Sequence, residues 1–301
     1  MTDVTATTDT IAERTLGIIL VSSSAAVFGL TGVLTKSIHA DPLTITCWRG
    51  FVGAILISLY VLWRRHRAGN REPLRLGWRG WLLAVEGALA SIAFISAFKF
   101  TFVANVAVIY ATSPFLAAVL AWMLVREPFR LQTMVAAAVS LCGVAIMVWS
   151  GFGTGNLFGD GLALLIAFMF STATVITRRF SSVRMTPATC LGTILAAGFA
   201  ASQASTFTAS AGDMGFLFVF GVVNLGLGLA FFATGARLIP AAIAALLGTF
   251  EPILGPIWVW LIHSEVPSGR TIIGGAVVVT ALLVHIGLEF KPQPAAAAPG
   301  V

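Results

Sequence analysis

The sequence predicts an all-α membrane protein of ten transmembrane helices, arranged as two inverted five-helix repeats with both termini cytoplasmic. Three observations carry that fold: a composition too apolar for water, ten apolar runs of bilayer length, and a duplication at one fixed offset. Hydrophobic residues fill 58% of the 301 positions and charged residues 10%, and the mean hydropathy is +0.95. Soluble domains are roughly 45–50% apolar and about 25% charged, and a globule of this size hides only about three-quarters of its surface. Soluble enzymes, nucleic-acid-binding modules and disordered chains are excluded on that ground.

A bilayer core of about 30 Å takes about 20 apolar residues per helix. The chain offers ten such runs, at 16–36, 43–63, 80–98, 104–124, 131–150, 158–177, 188–207, 214–234, 241–262 and 271–290. The breaks between them are chemically clear: Asp41-Pro42, the basic stretch 64–79, Glu127-Pro128, and the Gly-rich 151–155. The seventh run is the softest, because Ser202, Gln203, Ser205, Thr206 and Thr208 dilute its end. The runs are long, rich in Ala and Leu and do not alternate, which argues against barrel strands. Met1 to Arg14 carries Asp3 and Glu13 and no small-residue cleavage site, so no removable signal peptide is expected. Cys47, Cys142 and Cys190 all lie in apolar runs without a CxxC pair and read as small buried hydrophobes.

The net charge of +6 reports orientation, since the basic residues sit between the apolar runs. With the N-terminus inside, fourteen Lys and Arg fall on the cytoplasmic side, and only Lys36, Lys99 and Arg270 on the other. That bias obeys the positive-inside rule and requires an even number of spans.

An offset of 138 residues lays spans 3–5 on spans 8–10 without a gap. Ala104 meets Ala242, Pro114 meets Pro252, Trp122 meets Trp260, Glu127 meets Glu265, Thr133 meets Thr271 and Lys99 meets Arg237. Apolar matches come easily by chance; Pro, Trp and Glu at one offset do not. Spans 1–2 align on 6–7 with one or two gaps, Phe28 on Phe170 and Thr35-Lys36 on Thr177-Arg178. An odd number of spans per repeat sends the second copy across the membrane in the opposite sense, as in many secondary transporters. The expected organisation is a cytoplasmic tail (1–15), the first repeat (16–150), a linker (151–157), the second repeat (158–290) and a Pro/Ala-rich cytoplasmic tail (291–301).

Several motifs recur in a fixed order. In the first repeat they are Phe28-Gly29, Lys36, Pro42 and Arg49, then 104–114 followed by Trp122 and Glu127. In the second they are Gly159-Asp160-Gly161-Leu162-Ala163-Leu164, then Phe250-Glu251-Pro252 with Glu265. Over about residues 16–290 the chain thereby resembles the drug/metabolite transporter superfamily of ten-helix proteins with two EamA-type repeats, and within it the bacterial amino-acid exporters. Gly50 departs from the aromatic or aliphatic residue common after the arginine. The resemblance implies export or exchange of small metabolites, chiefly amino acids and amphipathic toxic compounds. It also implies that spans 1, 3, 4, 6, 8 and 9 line the cavity.

Ionisable groups within a bilayer are costly and should face protein or water. Glu86 lies about 9 Å into the third span, at 1.5 Å per residue, and its repeat equivalent is Asn224. The pair reads either as two walls of one cavity or as interhelical hydrogen bonds holding the bundle. Glu251-Pro252 stands halfway along the ninth run; a proline there frees the Gly248 carbonyl beside Thr249, a broken geometry that transporters use for ions or substrates. Ser113-Pro114 is its equivalent, with Tyr110 one turn earlier. Phe94 and Phe232 form an aromatic pair at the same offset, suited to amphipathic substrates. The candidate lining is therefore Glu86, Phe94, Tyr110, Ser113, Asn224, Phe232, Thr249 and Glu251, with Pro114 and Pro252 as kinks. Both prolines also read as helix shapers alone, and Glu251 as bonded to a neighbour such as Arg237.

Arg49 reads as snorkelling or pairing with Asp41 ahead of touching substrate. Glu127 and Glu265 end helices at mirrored places and read as caps or gate stabilisers, and His285 as a packing residue. Small residues in spans 5 and 10 point to close helix packing.

The function these features predict is a secondary transporter of small metabolites, working by alternating access around a midplane cavity in the inner (cytoplasmic) membrane. A channel-like facilitator without ion coupling is one rival. An intramembrane enzyme is the other, and the sequence offers it no HExxH, GxSxG or His/Asp cluster at ligand spacing. No cofactor, metal, catalytic residue or nucleic-acid partner is expected. The expected partners are small-molecule substrates and the lipid bilayer, and homo-oligomerisation stays open.

Overall fold

A computed structural model describes residues 2–67, 76–126, 131–149, 156–179, 185–204, 207–236, 238–239, 243, 247–248 and 250–289. Every regular element among them is a helix. In order these are α1 (Thr2–Gly29), α2 (Thr31–Ser37), α3 (Pro42–Arg67), α4 (Trp78–Phe100), α5 (Val103–Tyr110), α6 (Ser113–Val125) and α7 (Leu131–Val148). They continue with α8 (Leu157–Arg179), α9 (Met185–Gln203), α10 (Ala211–Phe220), a π-helical segment (Gly221–Gly228), α11 (Leu229–Gly235), α12 (Phe250–His263) and α13 (Gly269–Glu289). Eight helical stretches among the described residues are long and apolar enough to cross a membrane: 12–37, 42–67, 78–100, 103–124, 131–148, 157–177, 211–232 and 269–288. The protein is thus a multi-pass helical membrane protein. Helix α9 and the described part of α12 occupy the places of the seventh and ninth runs; Thr189, Thr193, Ser202 and Gln203 thin the first, and the second covers 14 residues.

The turns are set by local chemistry. Asp41 accepts the N–H groups of Leu43 (2.9 Å) and Thr44 (3.0 Å) and the Thr44 hydroxyl, capping α3 with Pro42 in its first turn. Burial alone would raise the Asp41 carboxyl, but the Thr44 hydroxyl and the two N–H groups outweigh it and hold it below its usual value. Ser210 caps α10 by accepting the Asp213 N–H at 3.0 Å, and its hydroxyl donates back to the Asp213 carboxylate at 2.8 Å, a reciprocal cap. Ser268 does the same for α13 through the Thr271 N–H, 3.1 Å.

Three apolar stretches are broken midway. A turn at Leu30 separates α1 from α2, residues 111–112 separate α5 from α6, and the π segment interrupts the stretch from α10 to α11. The backbone groups this frees are answered by hydroxyls: Thr31 donates to the Phe28 carbonyl (2.6 Å), Thr112 to that of Ile109 (2.7 Å) and Ser113 to that of Tyr110. Ser24 reaches the Gly228 carbonyl at 2.9 Å. In lipid such groups need partners within the protein.

Packing follows the duplication. Helix α4 lies against α8 and α9, while α1 lies against the π segment, α11 and α12, and α3 against the π segment and α9. Helices α7 and α13 pair so tightly that a Cβ at Gly274 would stand 2.3 Å from the Gly143 carbonyl oxygen, the close approach that small residues permit. Among the described residues two non-glycines have left-handed backbones, Arg126 (φ 57°) and Ser264 (φ 54°). They are 138 residues apart and follow α6 and α12, so the repeats end these helices in the same way. Their core joins Ala93, Val103, Ile109, Met147, Ala167, Val259 and Val278, whereas Trp63, Trp78 and Trp149, near helix ends, stay exposed, as interfacial tryptophans do.

Candidate functional site

The breaks in α1–α2 and α5–α6 converge with α8 and α12 in the middle of the molecule. Glu251 and Tyr110 are both half-buried there. Glu251 lies near enough to Tyr110 to act on it electrostatically. Phe94 stacks edge-on to Phe98 (4.7 Å between ring centres) and faces Tyr110 at 6.0 Å; Tyr110 meets Phe170 at 5.2 Å. One carboxyl beside an aromatic wall can hold a cationic or amine-bearing amphipathic molecule by charge and ring contact.

The structure puts Phe94 and Tyr110 in ring contact and Glu251 within electrostatic reach of Tyr110, while the other candidates make different contacts. Ser113 is buried, its hydroxyl on the Tyr110 carbonyl and its own carbonyl accepting from Ser171 at 2.8 Å. Asn224 is buried and donates to the Thr31 hydroxyl at 2.7 Å. Glu86 meets the Thr172 hydroxyl of α8. Phe232 lies on α11, 42% exposed and apart from these rings. Thr249, Arg237 and Glu127 fall outside the described residues. Pro114 opens α6. Pro252 stands in the first turn of the described α12, where proline is tolerated, and Pro256 is the proline inside that helix.

Sequence reasoning misplaced Arg49. Asp41 spends its oxygens on its own helix cap, and Arg49, 4% exposed, donates to Ser91 at 2.5 Å and lies over the Phe220 ring at 5.1 Å. A hydroxyl and a π face answer part of its charge, and its Nε is buried without a partner among the described residues. Thr31, Thr172 and Phe170 were also missed. A threonine in an apolar span looks like filler until its partner helix is known.

Polar bonds between the repeats gather at one end of the bundle. Lys36 pairs with Glu265 at 3.1 Å, and the Val103 N–H, at the start of α5, donates to the same carboxylate at 2.7 Å. Asp160 accepts Thr101 (2.7 Å) and Asn105 (3.0 Å), and Thr271 donates to Asn105 at 3.0 Å. His263 touches the Ser37 hydroxyl (3.0 Å), and the His39 N–H donates to Asp213 at 3.0 Å. Lys99 donates to the Ile38 carbonyl at 2.5 Å. Lysines at helix C-termini and a carboxylate at a helix N-terminus suit the backbone dipoles. Together these bonds, all but Lys99–Ile38 between the repeats, hold the Lys36–Glu265 end of the bundle together.

A groove of about 700 Å³ between α7 and α13 is apolar apart from Gln132, Thr280 and His285. It contains none of the candidate lining residues. The His285 ring lies 5.5 Å from that of Phe115.

The EamA-like transporter family matches the chain twice, at residues 15–149 and 157–287. A curated relative from Archaeoglobus fulgidus, described as an uncharacterized transporter, is 23% identical over 266 residues, spanning 87% of this chain and 93% of that protein. A crystal structure of another protein, 19% identical, has the same fold with a TM-score of 0.66 over 93% of this chain and 100% of that one. With both repeats matched, the chain belongs to the EamA-like transporter family, within the drug/metabolite transporter superfamily.

Proposed function

We propose that the protein is a secondary transporter that exports small amphipathic metabolites, amino acids including aromatic ones and amphipathic toxic compounds, by alternating access. In this reading ten spans form two inverted repeats in the inner membrane, with both termini cytoplasmic, as the distribution of Lys and Arg favours. What supports it is Glu251, a carboxyl within electrostatic reach of Tyr110, whose ring meets Phe94 and Phe170; in this reading they line a hollow that is sealed at the Lys36–Glu265 end. A substrate amine pairs with Glu251, and its apolar part lies on the rings. Unequal repeats support rocking: α8 runs unbroken where α1–α2 bends, and α4 is regular where its equivalent is π-helical. The sealed end faces away from the cytoplasm, so this conformation opens inward, ready to load an exported solute.

Reconstituted vesicles test the reading. The full-length protein should carry radiolabelled phenylalanine or a lipophilic cation saturably, and Glu251→Gln should lower that flux at least tenfold while still inserting. Undiminished flux in Glu251→Gln would remove the site, and non-saturating flux would favour a channel.

A further inference from the structure

Two polar pairs tie the repeats together, and their amide and acid members, Asn224 and Glu86, are related by the 138-residue offset. Glu86 of α4 meets Thr172 of α8, and Asn224 of the π segment meets Thr31 of α2. Each pair joins the third span of one repeat to the first span of the other.

The hydrogens can be counted. In the Asn224 pair the amide nitrogen donates to Thr31 Oγ1 at 2.7 Å, and the Thr31 hydroxyl gives its one hydrogen to the Phe28 carbonyl at 2.6 Å. In the Glu86 pair the Thr172 hydroxyl likewise lies on its own helix, 2.9 Å from the Met169 carbonyl and 3.0 Å from that of Phe168. The Thr172 hydroxyl thus has one hydrogen for three acceptors, Glu86 Oε1 and the two carbonyls; with that hydrogen placed on its own helix, as in Thr31, the hydrogen between Thr172 Oγ1 and Glu86 Oε1 belongs to the glutamate. The second oxygen, Oε2, is buried without a partner among the described residues. A neutral acid tolerates this; an ionised carboxylate would pay a large desolvation cost.

Among the described residues Glu86 forms no ion pair; on α4 itself Arg79 stands seven residues before it, about 10 Å along the axis. Helices α2, α3, α5, α8 and α9 pack against α4. On α8, Asp160 stands twelve residues before Thr172 and Arg179 seven after it, about 18 and 10 Å along the axis. Helix α9 brings Cys190, which lies 3.2 Å from Ser58. Helix α3 brings Cys47, Tyr60 and Arg49, the last on Ser91, and ends in Arg65, His66 and Arg67. Helix α2 brings Lys36, paired with Glu265, and α5 brings Tyr110.

We propose that Glu86 is a proton-binding site, occupied in this conformation, in which the carboxylic acid donates to Thr172 as the Asn224 amide donates to Thr31. The consequence rests on the transporter reading above. When the repeats rock and α4 parts from α8, water reaches Glu86, its O–H bond breaks, the proton passes to water and a carboxylate remains. Return of α8 takes a proton up again, so each cycle binds and releases one.

Infrared spectroscopy of the purified full-length protein at neutral pH tests this, because a protonated carboxylic acid has a C=O stretch that a carboxylate lacks. Glu86→Gln, which keeps a donor for Thr172 and so should fold, is expected to lose one carboxyl's share of that band. Thr172→Val, which keeps the acid but removes its acceptor, should shift the band without abolishing it. Glu251→Gln controls for the other buried carboxyl. A full-height band in Glu86→Gln overturns the proposal, as does a Thr172→Val spectrum identical to that of the unaltered protein. Phenylalanine flux in vesicles separates the two readings. Absent flux with the band behaviour intact sinks the transporter reading alone; flux whose response to an imposed pH gradient is the same with and without Glu86 sinks the coupling.

Discussion

Breaking the Lys36–Glu265 pair should open the sealed end. The ammonium and carboxylate stand 3.1 Å apart with side chains 25% and 14% exposed. At an effective dielectric near 20 the gross attraction is about 5 kcal/mol, and desolvation cancels most of it. Exposed pairs net about 0.2–1 kcal/mol, and removing one partner of a fully buried pair costs about 3–5; this half-buried pair belongs between, at about 1–2 kcal/mol. Glu265→Gln isolates the charge, since the amide oxygen still accepts the Val103 N–H. A shift of that size raises the open fraction about 5- to 30-fold. The assay is thiol modification of Val33→Cys, a buried position beside the seal, with Cys47, Cys142 and Cys190 replaced by alanine. Its rate should rise by the same factor in Glu265→Gln and in Lys36→Met, and the double variant should exceed neither single by the product of the two. Rates within twofold of the parent, or fully additive effects, would refute the reasoning.

Three further outcomes follow from single contacts. Asp41→Ala removes the cap of α3 and should cost about 1 kcal/mol, read as a lower unfolding temperature in detergent. Because the folded Asp41 carboxyl is held below its ordinary value, its charge-linked share is present above about pH 4. That share fades as pH falls through the folded value, so variant and parent converge in strong acid. Gly274→Val drives a side chain into the Gly143 carbonyl, 2.3 Å away at Cβ alone, and should cost at least about 1–3 kcal/mol. Gly287→Ala, with nothing within 4 Å, should leave the unfolding temperature unchanged. For the inverted arrangement, cysteines introduced at positions 99 and 237 should be labelled from opposite sides of the membrane; labelling from one side only would count against it.

The membrane class, the long helices and the duplication were legible in the sequence because each is a one-dimensional signal: composition, run length and offset. The matching left-handed residues Arg126 and Ser264 carry no such signal, since neither is the glycine that usually marks that backbone. The site was half legible. Phe94, Tyr110 and Glu251 were named from residue type and position; the rings of the first two face each other at 6.0 Å, and Glu251 lies within electrostatic reach of Tyr110. Asn224, Ser113 and Glu86 were named on the same grounds, and hydrogen bonding occupies them instead. The competing interhelical reading describes the Asn224 pair directly. What the sequence withheld was partnership. Thr31 and Thr172 lie 193 and 86 residues from the polar groups they bind, and Arg49 is answered by Ser91 and Phe220 rather than by the acid nearest in sequence.

A transporter needs its two end states within a few kcal/mol of each other, and that requirement bears on the one-ended seal. Every cross-repeat bond broken when the Lys36–Glu265 end opens raises the energy of the open state unless bonds elsewhere replace it. The duplication supplies the means. The offset that carries Glu127 onto Glu265, and the alignment that carries Lys36 onto Arg178, give the other repeat the same acid and base in the same sequence positions. Charges conserved across both copies of a gene duplication that otherwise exchanged Glu86 for Asn224 point to a balanced task. The exchanged pair differs in one respect, that an acid can release its proton and an amide cannot. Under the alternating access and proton site proposed above, the matched charges would keep the two conformations close in energy, and the exchange of Glu86 for Asn224 would make the step between them depend on the proton.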